Sequence, residues 1–197
     1  LNEEFGYTTA ILGDLQGPKL RVGVMEEGVV VQDGDLITFT TAEDILGTAK
    51  KVFMKYKNFP NDVNPGERIL LDDGKLIFEI VETDKKSEVV ARVIQGGELK
   101  SKKGVNLPNT KISLPAMTEK DIADAIFAIE QHVDWIALSF VKTPQDLQDL
   151  QELIAKHSEH KIPIIAKIEM PEALENIDKI VAYCDGLMVA RGDLGVE

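Results

Sequence analysis

Hydrophobic and polar positions along the chain change their period twice. Residues 7–14, YTTAILGD, form a short apolar run closed by an acid and predict a buried strand. From about residue 20 to residue 113 the chain carries a series of β-type runs: VVVQ, LITFT, RILL, KLIFEIVE and EVVARVI. They are broken by EEG, QDGD, TDKKS and QGGE, which supply the Gly, Asp and Ser that tight turns require. Strands spaced this closely predict a small all-β barrel or sandwich.

After residue 114 helical and strand patterns alternate. Thr118 and Asp121 have capping-box spacing ahead of the amphipathic run IADAIFAIEQ. The strand WIALSF (135–140) follows. Thr143, Pro144 and Asp146 then read as N-cap, first helical position and first-turn acid of a helix over LQDLQELIAKH. IPIIAKIE (162–169) predicts a strand, ALENIDKIVAYC (173–184) one helix, and GLMVAR (186–191) a last strand. Strands separated by helices predict a parallel sheet with right-handed crossovers. Polar residues close the strands: Asp14, Ser139, Lys167 with Glu169, and Arg191 with Asp193. A (β/α)8 barrel keeps its chemistry at those strand ends. No Gly-x-Gly-x-x-Gly turn follows the first strand, so dinucleotide binding has no support. Only four parallel strands are visible, too few to close a barrel, and the chain reads as a piece of a larger protein.

Composition narrows the function classes. The 197 residues include 34 acidic and 22 basic side chains, for a net charge of -12. That balance argues against nucleic-acid binding, which needs a basic footprint. No apolar run reaches the ~18 residues of a membrane span, and LNEEFGYTTAILGD has neither the basic nor the apolar region of a signal peptide. The single cysteine, Cys184, excludes an intrachain disulfide and fits a reducing cytoplasm.

Lys167 and Glu169 are two apart, so on a strand they share a face, together with Ile165. A cation and an acid after a nearly all-apolar run are costly unless paired or liganded. A simple Lys–Glu ion pair at the rim is one reading. A ligand site is the other. In Arg191-Gly192-Asp193-Leu194-Gly195, glycines flank an acid and let backbone amides approach an anion. Asp193 is a candidate ligand for a hard cation of the Mg²⁺ type, the alternative being a tight turn with a capping Asp. Asp72-Asp73-Gly74 reads as a hairpin turn. Lys100, Lys102 and Lys103 are either a phosphate-facing or a merely solvated edge. His132, His157 and His160 lack metal-ligand spacing.

Six stretches resemble the pyruvate kinase family, in that family's order and over nearly the whole chain. They are GDLQGPKLRVG (13–23), LLDDGKL (70–76), SKKGVNLPNTKISLPAMTEKD (101–121), ALSFVKTPQDL (137–147), IIAKIEMPEALENID (164–178) and DGLMVARGDLGVE (185–197). The resemblance implies an α/β fold: a partial (β/α)8 barrel, residues 1–17 and 115–197, with an inserted small all-β barrel lid at 18–114. It implies phosphoryl transfer from phosphoenolpyruvate to ADP, giving pyruvate and ATP, in a cytoplasmic homo-oligomer, a tetramer in the complete enzyme. Lys167 would be the lysine that neutralises the phosphoryl group, with Glu169 and Asp193 as ligands of Mg²⁺ or Mn²⁺. Gly192 and Asp193 would meet the substrate carboxylate. Ser139 also falls at the substrate, and Asp14, Leu15 and Lys19 in the monovalent-cation region. Arg21, Asp73 and Lys103 would lie on the nucleotide side of the lid. Many family members use K⁺ and carry a glutamate where this chain has Lys19. A tethered ammonium there predicts independence from K⁺. With unpaired strand edges, this half-barrel chain is expected to self-associate and to show no turnover alone. Competing readings are another Mg²⁺-dependent barrel acting on phosphoenolpyruvate or a 2-oxoacid, and a non-catalytic binding module.

Overall fold

The structure is a computed structural model that describes residues 2–108 and 110–195; Asn109, Val196 and Glu197, which belong to two of the motifs above, lie outside the described residues. In chain order the elements are α1 (Asn2–Phe5), β1 (Leu12–Asp14), β2 (Val30–Val31), β3 (Leu36–Thr40), β4 (Lys51–Phe53), α2 (Phe59–Asp62), β5 (Arg68–Leu71), β6 (Leu76–Thr83), β7 (Glu88–Gln95), β8 (Gly97–Glu98), β9 (Val105–Asn106), α3 (Glu119–Glu130), β10 (Trp135–Leu138), α4 (Pro144–His157), β11 (Ile164–Ile168), α5 (Pro171–Glu175), α6 (Ile177–Val181), β12 (Gly186–Val189) and α7 (Arg191–Leu194). They form two compact units, one from Leu1–Pro18 with Leu114–Leu194 and one from Lys19–Ser113. Among the described residues no helix is long and apolar enough to cross a membrane.

The first unit holds a four-stranded parallel sheet in the order β1-β10-β11-β12. Alternation along β11 buries Ile164, Ala166 and Ile168 under the helices and turns Ile165 and Lys167 the other way. Leu147, Leu150 and Ile154, spaced three and four apart, put the apolar face of α4 on the same core. Thr118 and Asp121 form the anticipated capping box of α3. Asp146 accepts from the N–H groups of Lys142 and Thr143 at the start of α4.

Four details differ from the sequence pattern. The first strand starts at Leu12 rather than residue 7. The strand at 135 stops at Leu138, because Phe140 takes a left-handed φ of 54° that no strand can continue. The helix expected over 173–184 is two short helices meeting at Asn176. The Asn176 side chain donates to the carbonyls of Lys142 and Glu172, the local competition with helical hydrogen bonding that asparagine is prone to. Finally, Arg191 opens α7 instead of ending a strand, so the Arg-Gly-Asp triplet is helical.

The second unit is a barrel. Its main sheet runs β4-β3-β7-β6-β5-β9. Residues 20–23 join the two edges: Val22 and Gly23 donate to Lys103 O and Phe53 O, while Lys55 and Val105 donate to Arg21 O and Leu20 O. Closure of this kind removes the exposed edges that template aggregation. The interior is aromatic, with Phe39, Phe59 and Phe78 all at 0% exposure. The β5–β6 hairpin turns through Asp72, Asp73 and Gly74 at φ of 52°, 58° and 79°, a left-handed run that favours Asp and Gly. In the β6–β7 turn, Glu88, Lys86 and Ser87 donate backbone N–H groups to the Asp84 carboxyl and pull its pKa down to about 2.

Tyr56 donates its hydroxyl to Asp62, and Ser113 donates its N–H to the same carboxylate. Burial, then the Asp62 hydrogen bond, push the phenol from its usual 10 up to about 12. The folded chain therefore holds the Tyr56 proton more tightly than the unfolded chain. The stabilisation is complete below pH 10 and is lost as pH rises through 12. Melting temperatures followed by circular dichroism are expected to fall more steeply across this window for the native chain than for Tyr56→Phe. Parallel curves would disprove the coupling.

Candidate active site

The sheet of the first unit aligns its strand ends through its registers. Asp14 pairs with Ala137, Leu138 with Ala166, and Lys167 with Met188. Residues at and just past these positions converge on one rim. Lys167 Nζ lies 3.0 Å from Asp14 Oδ1, 2.8 Å from Ser139 Oγ and 3.4 Å from Glu169 Oε1. An ammonium has three N–H donors, and three acceptors surround this one. Glu169 Oε2 accepts the Phe140 N–H at 2.8 Å, so both carboxylate oxygens are held.

Burial is unequal around the cluster. The side chains of Glu169 and Lys167 are 2% and 14% exposed, whereas that of Asp14 is 55% exposed. Burial alone would lower the Lys167 pKa. The Asp14 hydrogen bond and the Glu169 and Asp14 charges outweigh it and hold the ammonium above the ordinary lysine value. Lys167 thus stays a fixed positive charge, and its most exposed partner in the cluster, Asp14, faces solvent. An incoming anion can replace that partner without uncovering the buried Lys167–Glu169 pair.

Four of the residues singled out from the sequence, Asp14, Ser139, Lys167 and Glu169, are therefore in direct contact. Leu15 is buried in the core beneath them, with its N–H on Ala137 O. Gly192 and Asp193 lie in α7, past the end of β12 and beside the end of β11, where Ala190 donates to Ile168 O. Glu169 and Asp193 thus follow the C-terminal ends of neighbouring parallel strands. Among the described residues no three His, Cys, Asp or Glu side chains gather as a metal cage. Two hard carboxylates suit a cation such as Mg²⁺, which is held by one or two carboxylates and keeps water and substrate oxygens as its other ligands.

In the second unit, Arg21 and Lys103, two of the three residues expected on the nucleotide side, lie along the barrel seam. Arg21 Nη1 donates to Lys102 O at 2.9 Å, and Arg21 bridges Gly104. Lys103 reaches Asp72 Oδ1 at 2.8 Å, so Asp72 carries the ion pair while its neighbour Asp73 is exposed. Lys103 and Lys75 hold the Asp72 carboxyl below the usual range. Lys19 is exposed at the start of this unit. Sequence reading missed Asp121, Gly17 and Phe140, all within one or two contacts of the rim. The capping-box spacing drew attention to Asp121 only as a helix signal.

The whole chain, residues 1–197, matches the family described as pyruvate kinase, barrel domain. It is 47% identical over 194 residues to a pyruvate kinase of Geobacillus stearothermophilus, covering 98% of this chain and 33% of that protein. It is 43% identical over 198 residues to one of Clostridium perfringens, covering 100% of this chain and 42% of that protein. Among solved structures, a pyruvate kinase from Cryptosporidium parvum superposes with a TM-score of 0.92 at 33% identity, over 100% of this chain and 41% of that one. The chain therefore spans between a third and a half of the length of the relatives it matches.

Proposed function

Because this chain belongs to the pyruvate kinase family, we propose that it supplies the phosphoryl-transfer centre of an enzyme that converts phosphoenolpyruvate and ADP to pyruvate and ATP. The observation that carries this reading is the Lys167 ammonium, fully charged and held by Asp14, Ser139 and Glu169 at the sheet rim. The bond from phosphorus to the enol oxygen breaks, and one forms to the terminal phosphate oxygen of ADP. The enolate left behind takes up a proton to become pyruvate. Such a transfer asks the protein for alignment and charge stabilisation more than covalent help. Lys167 provides a fixed charge for the moving phosphoryl group, exchanging its contact with Asp14 for one with a phosphoryl oxygen. Glu169 and Asp193 would hold the divalent cation, Mg²⁺ or Mn²⁺, which when bound supplies positive charge for phosphoryl and substrate oxygens. Gly192 and Asp193 orient the substrate carboxylate, and Ser139 keeps the ammonium aimed.

On this reading residues 18–114 are the inserted lid and 1–17 with 115–197 the barrel domain. Arg21, Asp73 and Lys103 then serve the nucleotide. The enzyme works in the cytoplasm as a homo-oligomer. Lys19 provides the charge that K⁺ brings to other members, next to Asp14 and Leu15 in the sequence.

A coupled assay of the full-length protein that carries this segment tests both statements. Pyruvate formation is expected to require phosphoenolpyruvate, ADP and Mg²⁺ and to proceed without K⁺. Lys19→Glu is expected to make it K⁺-dependent. No turnover with these substrates would reject the function. Strong K⁺ activation of the unsubstituted enzyme would reject the role of Lys19.

A further inference from the structure

A buried carboxylate lies one contact away from the rim without touching it. Asp121 is 0% exposed. One of its oxygens, Oδ2, closes the cap of α3, accepting Thr118 N at 2.9 Å and Thr118 Oγ1 at 2.5 Å. The cap needs nothing more from it. The other oxygen, Oδ1, accepts the N–H of Gly17 at 3.0 Å, across 104 residues of sequence, and so fixes the loop that follows β1 and Asp14.

Gly17 has a φ of +70° and lies flat against the next strand end. A Cβ at this position would sit 2.7 Å from Phe140 Cδ2 and 3.0 Å from Ser139 Cβ. A side chain there would force the Phe140 ring and Ser139 to shift, and the backbone conformation itself disfavours one. Ser139 and Phe140 are the two residues that reach the charged cluster, Ser139 through its hydroxyl to Lys167 and Phe140 through its N–H to Glu169. Phe140 holds a left-handed φ of 54°, which a side-chain-bearing residue keeps only when its surroundings fix it. Gly17 is one wall of those surroundings, and Asp121 holds Gly17.

We propose that Asp121, acting through Gly17, is a positioning residue for the phosphoryl-transfer centre. It seats the Gly17 backbone on Ser139–Phe140, and this seat keeps the Phe140 N–H on Glu169 and the Ser139 hydroxyl on Lys167. The inference rests on the phosphoryl-transfer reading for its effect on turnover, but the seating itself does not depend on it. Partners one contact removed from a metal or catalytic ligand typically matter by about 10- to 100-fold in affinity or activity.

The test uses the full-length protein and three single variants, Asp121→Asn, Gly17→Ala and Thr118→Ala, with the double variant Gly17→Ala/Phe140→Ala. Asparagine keeps the shape of Asp121 but must turn an N–H₂ toward either Gly17 or Thr118, both donors. Hydrogen exchange at the Phe140 amide without ligands, Mn²⁺ affinity by electron paramagnetic resonance, and kcat and KM are read for each. Asp121→Asn and Gly17→Ala are expected to speed Phe140 exchange and weaken Mn²⁺ binding by about tenfold or more, and to lower kcat by about 10- to 100-fold. KM for ADP should stay within about twofold. Thr118→Ala should lower the melting temperature, as loss of a cap does, and leave Phe140 exchange unchanged. Removing the Phe140 ring should restore part of the kcat lost in Gly17→Ala. The proposal is overturned if Asp121→Asn behaves like Thr118→Ala, or, should Asp121→Asn not fold, if Gly17→Ala leaves Phe140 exchange unchanged. Absence of ATP formation by the unsubstituted protein would instead overturn the function, with Phe140 exchange still deciding the positioning role.

Discussion

Lys167→Met is expected to lower kcat by about a thousandfold, on the scale of losing a preorganised charge aimed at a transition state. Methionine keeps an unbranched chain of similar length and removes the ammonium. In the folded chain that ammonium is the charge common to Asp14, Ser139 and Glu169. Its loss leaves the Glu169 carboxylate, 2% exposed, with the Phe140 N–H as its remaining donor in this cluster. On the proposed phosphoryl-transfer function, the penalty falls on the phosphoryl group in flight more than on the bound substrate. KM for phosphoenolpyruvate should therefore move by less than about tenfold while kcat collapses, the signature of an interaction made in the transition state. Steady-state kinetics of the full-length variant, with a melting curve to confirm folding, gives the answer. A loss in kcat below about tenfold would mean that Lys167 and Glu169 are only an ion pair closing the rim. The two readings open at the sequence level are not exclusive: the pair exists, and the question is whether it also acts.

Strong local signals were readable. LITFT, RILL and EVVARVI are β-type runs bounded by turn residues, and β3, β5 and β7 fall within a residue of them. Thr118 and Asp121 marked the start of α3 because a capping box is entirely local. Lys167 beside Glu169 was likewise legible, since a two-residue period puts both on one face of β11. What failed depended on distant partners. Local periodicity does not mark residues 20–23 as a closing segment, and they close the barrel only because strands far away in sequence leave hydrogen-bonding edges for them. At the break between α5 and α6, the Asn176 side chain donates not only to Glu172 O, four residues back, but also to Lys142 O, 34 residues back, which no local pattern shows.

The rim shows the same division. Periodicity gives the face of Lys167 but not its company. Asp14 and Ser139 reach it because the registers Asp14↔Ala137 and Leu138↔Ala166 bring three strand ends level. Phe140 reads as one more apolar strand residue, and only its positive φ explains why its N–H turns to Glu169. The resemblance to a known family pointed to the same residues by a different route, through motifs rather than contacts. It did not point to Asp72, whose adjacent twin Asp73 is the motif residue, although Asp72 holds both Lys75 and Lys103.

Phe78→Ala is expected to destabilise the 19–113 unit by about 3–5 kcal/mol, the range for a large aromatic removed from a core. Phe78 is 0% exposed in β6, the strand between β5 and β7. Its ring meets that of Phe39 edge-on at 5.4 Å and 86°, and Phe39 meets Phe59 at 6.1 Å and 70°. Edge-to-face pairs add about 0.5–1.5 kcal/mol beyond the area they bury. A closed barrel cannot collapse easily onto the space left, because its backbone hydrogen bonds set its radius. That places the cost toward the upper part of the range. Val81→Ala, at a side chain 38% exposed on the outer surface of the same strand, serves as the comparison and should cost under about 1 kcal/mol. Guanidinium unfolding monitored by circular dichroism, with amide exchange in β6 and β7 to locate the loss, measures both. Equal costs for the two variants would show that the three phenylalanines are not the centre of the barrel core.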